Sequence, residues 1–158
     1  MNTKIKPLLI SISIPLLVGG LSAFLTRNSM ETFTQLNKPP LSPPGILFPI
    51  VWTILYFLMG LASYLILTSN SPAGQIKEAL FVYALQLGIN FFWSIFFFNN
   101  EWYLFSFFWL VLLWIFILRT IQLFLPISKT AGYLMIPYLI WVTFAGYLNL
   151  GIWWLNRM

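Results

Sequence analysis

The chain has 158 residues, of which 60% are hydrophobic, 20% aromatic and only 7% charged, with a net charge of +5 at pH 7. A soluble domain carries about 25% charged residues because its surface faces water, so this composition excludes a soluble enzyme and a secreted disulfide scaffold. The high aromatic content excludes a disordered chain. The composition therefore indicates a membrane protein, whose positive charge follows the positive-inside rule and predicts no nucleic-acid partner.

Cysteine, histidine and aspartate are absent, and the carboxylate side chains are limited to Glu31, Glu78 and Glu101. These absences remove the thiolate nucleophile, the usual zinc and haem ligands and the general base that titrates near pH 7. The sequence therefore predicts no metal site and no conventional acid–base or nucleophilic enzyme.

Charged residues divide the chain into five uncharged stretches, and charges mark the ends of spans because a charge at the bilayer centre costs at least about 2.5 kcal/mol. We predict an all-α integral membrane protein, a bundle of five transmembrane helices that forms one domain over residues 1–158. The predicted spans are residues 6–26, 45–69, 77–98, 102–124 and 130–154. A β-barrel would alternate polar and apolar residues, whereas residues 105–109 are apolar on nearly every face.

The first span has an alternative interpretation as a cleaved signal peptide, because Lys4 and Lys6 precede an apolar run. The run is long for a signal peptide, and the spacing of Gly19 and Ala23 is typical of a surface on which helices pack closely. We therefore favour a membrane span.

The longest connection, residues 27–44, ends in a segment that contains four prolines. Prolines lack an amide donor and bias the preceding residue to extended geometry, so residues 38–45 are predicted to be non-helical. The other connections are short, and neighbouring helices should therefore pack antiparallel.

Arg119 lies inside the fourth predicted span, where it either snorkels to the interface or has a buried function. We favour snorkelling, because no carboxylate partner is apparent at the same depth. The basic residues on the N-terminal side are Lys4, Lys6, Lys77, Arg119 and Lys129, and those on the opposite side are Arg27, Lys38 and Arg157. This asymmetry predicts a cytoplasmic N-terminus and an external C-terminus.

The third span carries Gln86 and Asn90 at i and i+4, on a stripe that Trp93 continues. Carboxamides in a membrane either join helices or line a cavity, and the spacing leaves both roles open, with helix joining the simpler one. Trp52, Trp93 and Trp141 lie deeper in their spans than interfacial tryptophans do, and each N–H there needs a partner. These three tryptophans are the candidates for a pocket.

Three separated blocks of the sequence combine prolines, tryptophans and carboxamides in a fixed order. The blocks are Leu36-Asn37-Lys38-Pro39 with Trp52, Tyr56 and Gly60; Gln86 with Asn90, Trp93 and Phe97; and Pro137-Tyr138 with Trp141, Ala145 and Asn149. In their order and spacing the blocks resemble the TspO/MBR family, the tryptophan-rich sensory and translocator proteins, over most of the chain.

The resemblance implies a five-helix bundle, often a homodimer, in which the Pro-rich first loop acts as the lid of an intramembrane pocket. It also implies that the ligands are porphyrins, including haem-type tetrapyrroles, and compounds of the benzodiazepine-receptor type, held without a covalent bond. The matching pocket positions are Trp52, Asn90, Trp93, Trp141, Ala145 and Leu148, with Phe24, Phe48, Phe105 and Phe108 as further walls.

The sequence departs from the family pattern in the lid and in the last span. Thr32-Phe33 stand where the family has a Trp-Tyr pair, so the lid is expected to be less aromatic. Leu150 stands at a tyrosine position of the cholesterol motif, and animal-type cholesterol recognition is therefore not expected.

We favour a receptor or sensor for tetrapyrroles and related planar molecules, embedded in a bacterial-type cell membrane. A facilitator that transports such a molecule is an alternative, although coupled transporters place ionisable residues along their pathways and these spans offer only Arg119. Light-dependent porphyrin breakdown is another alternative, in which the tryptophans would be the relevant groups. A structural or partner-binding protein with an incidental cavity is the fourth.

Overall fold

The structure, a computed structural model, describes residues 2–157, with side chains from residue 4. Within this range all regular secondary structure is helical, and five helical segments are long and apolar enough to cross a membrane, which confirms the predicted fold class. The helices are α1 (Asn2–Thr26), α2 (Met30–Thr34), α3 (Leu47–Leu67), α4 (Ala73–Ser94), α5 (Tyr103–Phe124), α6 (Lys129–Leu134) and α7 (Ile136–Asn156).

The spanning segments begin and end within about one turn of the predicted bounds, except that the first continues past the end of α1 as far as Thr34. The third continues beyond α4 through a π-helical turn, Ile95–Asn99, and the fifth consists of α6 and α7, which separate at Met135. The first half of the long connection is helical, because a 3₁₀ turn (Arg27–Ser29) leads into α2. Residues 35–46 are non-helical, in agreement with the effect expected of the prolines.

The five spanning segments pack as a closed ring. The helix α1 lies against α3 and α4, α4 lies against α5, and α5 lies against α7. The short helix α6 closes the ring by contacting both α3 and α5. The inward faces of these helices form one interior, which contains Gln86 and Asn90 of α4 and against which Trp52 of α3 and Trp141 of α7 pack.

The contact between α1 and α3 depends on two glycines. A Cβ atom on Gly60 would lie 2.8 Å from the Ser11 carbonyl oxygen, which Pro15 leaves without its usual helical donor. A Cβ atom on Gly19 would overlap the ring of Tyr56. The backbones therefore approach as closely as small residues allow in membrane helices, and Gly19 fixes the position of the Tyr56 ring.

Arg119 lies near the end of α5 and its guanidinium Nη2 is 3.8 Å from Oε1 of Glu78, near the start of α4. The side chains are 53% and 59% exposed, so the pair contributes at most about 1 kcal/mol. The exposed position agrees with snorkelling, but the expectation that no carboxylate lies nearby was wrong. The antiparallel packing of α4 and α5 brings together two residues that are far apart in sequence.

Candidate ligand-binding site

Four polar side chains meet at the centre of the bundle and form what we call the central network: Tyr56, Gln86, Asn90 and Tyr138. The Tyr56 hydroxyl donates to Asn90 Oδ1 (3.1 Å), Asn90 Nδ2 donates to the Tyr138 hydroxyl (2.7 Å), and that hydroxyl donates to Gln86 Oε1 (2.6 Å). Gln86 and Asn90 are 0% and 1% exposed, because their i, i+4 spacing places both on the inward face of α4. The network joins α3, α4 and α7.

Trp52 lies one turn before Tyr56 on α3 and covers the central network from the side of the first connection. Its half-buried ring stacks on Tyr56, with centroids 5.6 Å apart and planes at 29°. Its ring also meets that of Tyr138 edge-on at 6.1 Å. The hydrogen bonds that hold the two tyrosines therefore also fix the surface on which this indole rests.

Trp141 lies on α7 between the central network and the first connection. Its ring meets that of Phe48 in an edge contact at 5.9 Å, and Phe48 in turn meets Phe33 of α2 at 6.3 Å. The indole Nε1 atom is buried and has no hydrogen-bond partner among residues 2–157. Such a donor costs about 1–3 kcal/mol and is rare, so it requires an explanation.

Two other buried polar atoms within the described range also lack a partner, the hydroxyl oxygens of Tyr83 and Ser106. The Tyr83 ring packs on Phe124, towards the end of the bundle opposite the first connection. Of the three unpartnered atoms, only the Trp141 nitrogen belongs to a ring in contact with the aromatic residues beneath that connection. This position makes it the best candidate for a ligand contact.

Trp93 differs from Trp141 because its N–H has a protein acceptor. Its Nε1 atom donates to Asn149 Oδ1 (3.0 Å), and Asn149 Nδ2 donates to the Tyr103 carbonyl (2.7 Å). The Trp93 ring stacks on Phe97 at 5.2 Å. These bonds show that Trp93 joins α4, α5 and α7. The other two predicted positions on α7, Ala145 and Leu148, are buried in the interior.

The structure corrects the expectation that Phe24, Phe105 and Phe108 are pocket walls. These side chains are 57%, 48% and 62% exposed and lie on the outer surface of the bundle. Phe24 lies under the Arg27 guanidinium, and Phe105 packs with Phe96 in an outer aromatic cluster. A phenylalanine facing lipid is as stable as one facing the interior, so residue type does not separate the two environments.

Residues 27–46, which we call the lid, are attached to the end of α7. The Asn37 backbone N–H donates to Asn156 Oδ1 (3.0 Å), and Asn156 Nδ2 donates to the Asn37 carbonyl (2.8 Å). Pro39 is buried against Gly151, where any side chain would collide with the proline ring. The attachment of the lid to α7 therefore depends on two reciprocal hydrogen bonds and on the close contact between Pro39 and Gly151.

Four of the contributing residues were not among the site positions expected from sequence. Tyr56, Gln86 and Tyr138 form the central network together with Asn90, and Phe33 supplies an aromatic ring to the lid, contacting Phe98 at 5.3 Å. Helical spacing is the signal for two of them: Tyr56 follows Trp52 by four residues, and Tyr138 precedes Trp141 by three.

The site consists of aromatic faces, carboxamides and tyrosine hydroxyls, together with the Trp141 N–H, which has no acceptor among the described residues. No group of three or more carboxylate, histidine or cysteine side chains that could hold a metal occurs within residues 2–157. An apolar surface with a few placed polar groups is suited to binding a hydrophobic molecule in a fixed orientation. The residues offer no pair of groups for acid–base chemistry.

These features define a class: multi-pass helical membrane proteins whose centre is built from tryptophans, tyrosines and carboxamides beneath a proline-rich connection. The family model described as the TspO/MBR family matches residues 11–155, and the chain belongs to this family. It is 40% identical over 157 residues to "Tryptophan-rich protein TspO" of Chlorobaculum tepidum, which covers 99% of each chain.

Similarity extends to more distant relatives. The chain is 35% identical over 152 residues to "Translocator protein" of Bos taurus, covering 92% of this chain and 87% of that one. It is 34% identical over 124 residues to "Protein CrtK" of Rhodobacter capsulatus, covering 78% of each. The resemblance found in the three sequence blocks is thus confirmed.

Proposed function

We propose that this membrane protein is a receptor or sensor that binds a porphyrin or a related flat, hydrophobic molecule beneath the lid. The observation that carries the proposal is the buried Trp141 N–H without a protein acceptor. A carboxylate or carbonyl oxygen on the ligand would accept this hydrogen bond and remove the cost of the unpaired donor. The Trp52 and Phe48 rings would supply aromatic faces for a planar ligand.

Ligand entry requires movement of some residues and leaves others in place. The Trp141 ring is in contact with Phe48, and Phe48 with Phe33 of the lid, so a planar ligand would displace this aromatic pair. The central network, by contrast, is fixed by three hydrogen bonds between helices. In the proposed mechanism, Phe33 and Phe48 move when the ligand enters, while the central network stays in place. The ligand is bound non-covalently.

The test is a titration of the purified chain in lipid nanodiscs with a metal-free porphyrin that carries carboxylates, followed by the porphyrin absorption spectrum. Trp141→Phe should weaken binding about tenfold, the value of one lost hydrogen bond to a charged group. Trp102→Phe is the matched control, because Trp102 is exposed in the connection before α5. Equal affinities of the wild type and Trp141→Phe would refute the proposed contact.

Orientation and assembly are part of the same proposal. The larger number of basic residues on the N-terminal side supports a cytoplasmic N-terminus, which places the lid on the opposite, external side. Because the chain lacks cysteine, Ser42→Cys introduces a single thiol into the lid, and an impermeant reagent should label it in intact cells. A homodimer, as the family resemblance implies, should appear as a doubled mass in native mass spectrometry.

A further inference from the structure

A groove of about 310 Å³ runs along the outside of the bundle between α5 and α7, separate from the candidate site. Its walls include Leu110, Val111 and Trp114 of α5 and Gly146, Tyr147 and Leu150 of α7. Val111, Tyr147 and Leu150 are exposed, although both helices lie at membrane depth. The groove therefore opens to the hydrocarbon of the bilayer.

The polar groups of this groove already have partners within the protein. The Trp114 N–H donates to Thr143 Oγ1 (2.8 Å), and the Thr143 hydroxyl donates to the Leu139 carbonyl (2.8 Å). The Tyr147 hydroxyl donates to the Pro40 carbonyl of the lid (2.7 Å). Since no donor is left over for a polar ligand, the groove is suited to a hydrocarbon chain.

The α7 wall of the groove continues towards the end of the chain on one helical face. Tyr147, Leu150, Trp154 and Arg157 follow one another at intervals of three, four and three residues, which places them in one line. Arg157 lies about 10 Å beyond Leu150 at 1.5 Å per residue. Its guanidinium is exposed and stacks on the Trp154 ring, 3.6 Å from the centroid.

We propose that this face binds one anionic phospholipid of the surrounding bilayer, with an acyl chain in the α5–α7 groove and the phosphate at Arg157. The apolar groove at hydrocarbon depth and the cation at its interfacial end match the two parts of such a lipid in order. An arginine held on an aromatic ring keeps its planar donors directed at a phosphate. The site does not depend on the proposed porphyrin binding.

The same site borders the lid, because Tyr147 forms part of its wall and holds the Pro40 carbonyl. A bound acyl chain would pack against this ring and restrain it. The lipid would thereby stabilise the attachment of the lid to α7.

The test is native mass spectrometry of the full chain in detergent, titrated separately with phosphatidylglycerol and phosphatidylcholine. The wild type should bind phosphatidylglycerol about tenfold more tightly than phosphatidylcholine. Arg157→Gln should abolish this preference, whereas Arg157→Lys should retain part of it. Gly146→Leu should weaken the binding of both lipids about tenfold, because the leucine side chain fills the floor of the groove.

Gly20→Leu is the matched control, since Gly20 is an exposed glycine of α1 and a Cβ atom added to it would have no other residue within 4 Å. The helix α1 packs against α3 and α4, away from the groove, so this variant should bind both lipids as the wild type does. The proposal is overturned if Gly146→Leu and Gly20→Leu bind lipid equally, or if the preference for phosphatidylglycerol survives Arg157→Gln. Arg157 follows the last residue of α7, so its variants test the site even if Gly146→Leu does not fold.

Discussion

Trp93, whose side chain is buried, and Trp141, whose half-buried ring has a buried Nε1 atom, should differ in the cost of replacement by phenylalanine. Trp93→Phe removes a 3.0 Å hydrogen bond and leaves Asn149 Oδ1 without that donor. Trp141→Phe removes an N–H that has no protein acceptor. Both variants lose the same part of the indole, so they differ in whether a hydrogen bond is lost. Trp93→Phe should therefore reduce the free energy of unfolding by about 1–3 kcal/mol more than Trp141→Phe does.

The assay is equilibrium unfolding in mixed micelles with increasing dodecyl sulfate, followed by far-ultraviolet circular dichroism. Repeating both substitutions in an Asn149→Leu background removes differences in packing from the comparison. Trp93→Phe should be about 1–2 kcal/mol less costly in that background, whereas the cost of Trp141→Phe should not change. A coupling of zero between Trp93 and Asn149 would refute the assigned hydrogen bond.

Three further predictions concern the central network, the helix contact and the lid. Tyr138→Phe removes two hydrogen bonds and should lower the unfolding free energy by about 1–3 kcal/mol, roughly twice the effect of Tyr56→Phe, in the same unfolding assay. Gly60→Leu should separate α1 from α3 and lower the melting temperature in detergent, whereas a melting temperature equal to that of the wild type would contradict the close contact. A disulfide between Asn37→Cys and Asn156→Cys should block porphyrin binding until it is reduced; binding to the oxidised form would show that the lid need not open.

The spans could be predicted from sequence because eleven charges mark the membrane boundaries so clearly. The inward direction of Gln86 and Asn90 could also be predicted, since two carboxamides one turn apart favour one face of a helix. Their partners could not, because Tyr56 and Tyr138 lie on other helices and their approach depends on how three helices pack.

Whether the phenylalanines face the interior or the lipid could not be predicted from the sequence. Phe24, Phe105 and Phe108 lie in segments that are apolar on nearly every face, so few polar residues mark the inward side. The lack of a partner for the Trp141 nitrogen could not be predicted either, because Trp93 has the same side chain and its N–H does have an acceptor. Only the three-dimensional arrangement separates an indole whose N–H joins helices from one whose N–H has no acceptor among the described residues.

The most direct test of the proposed binding site is an experimentally determined structure of the chain with a metal-free porphyrin bound. We expect the macrocycle to lie beneath the lid against Trp52, with a porphyrin oxygen within about 3.2 Å of Trp141 Nε1. We also expect the three hydrogen bonds of the central network to be retained while Phe33 and Phe48 have moved. A porphyrin seated in the α5–α7 groove or on the outer surface, with Trp141 still in contact with Phe48, would contradict the proposed site.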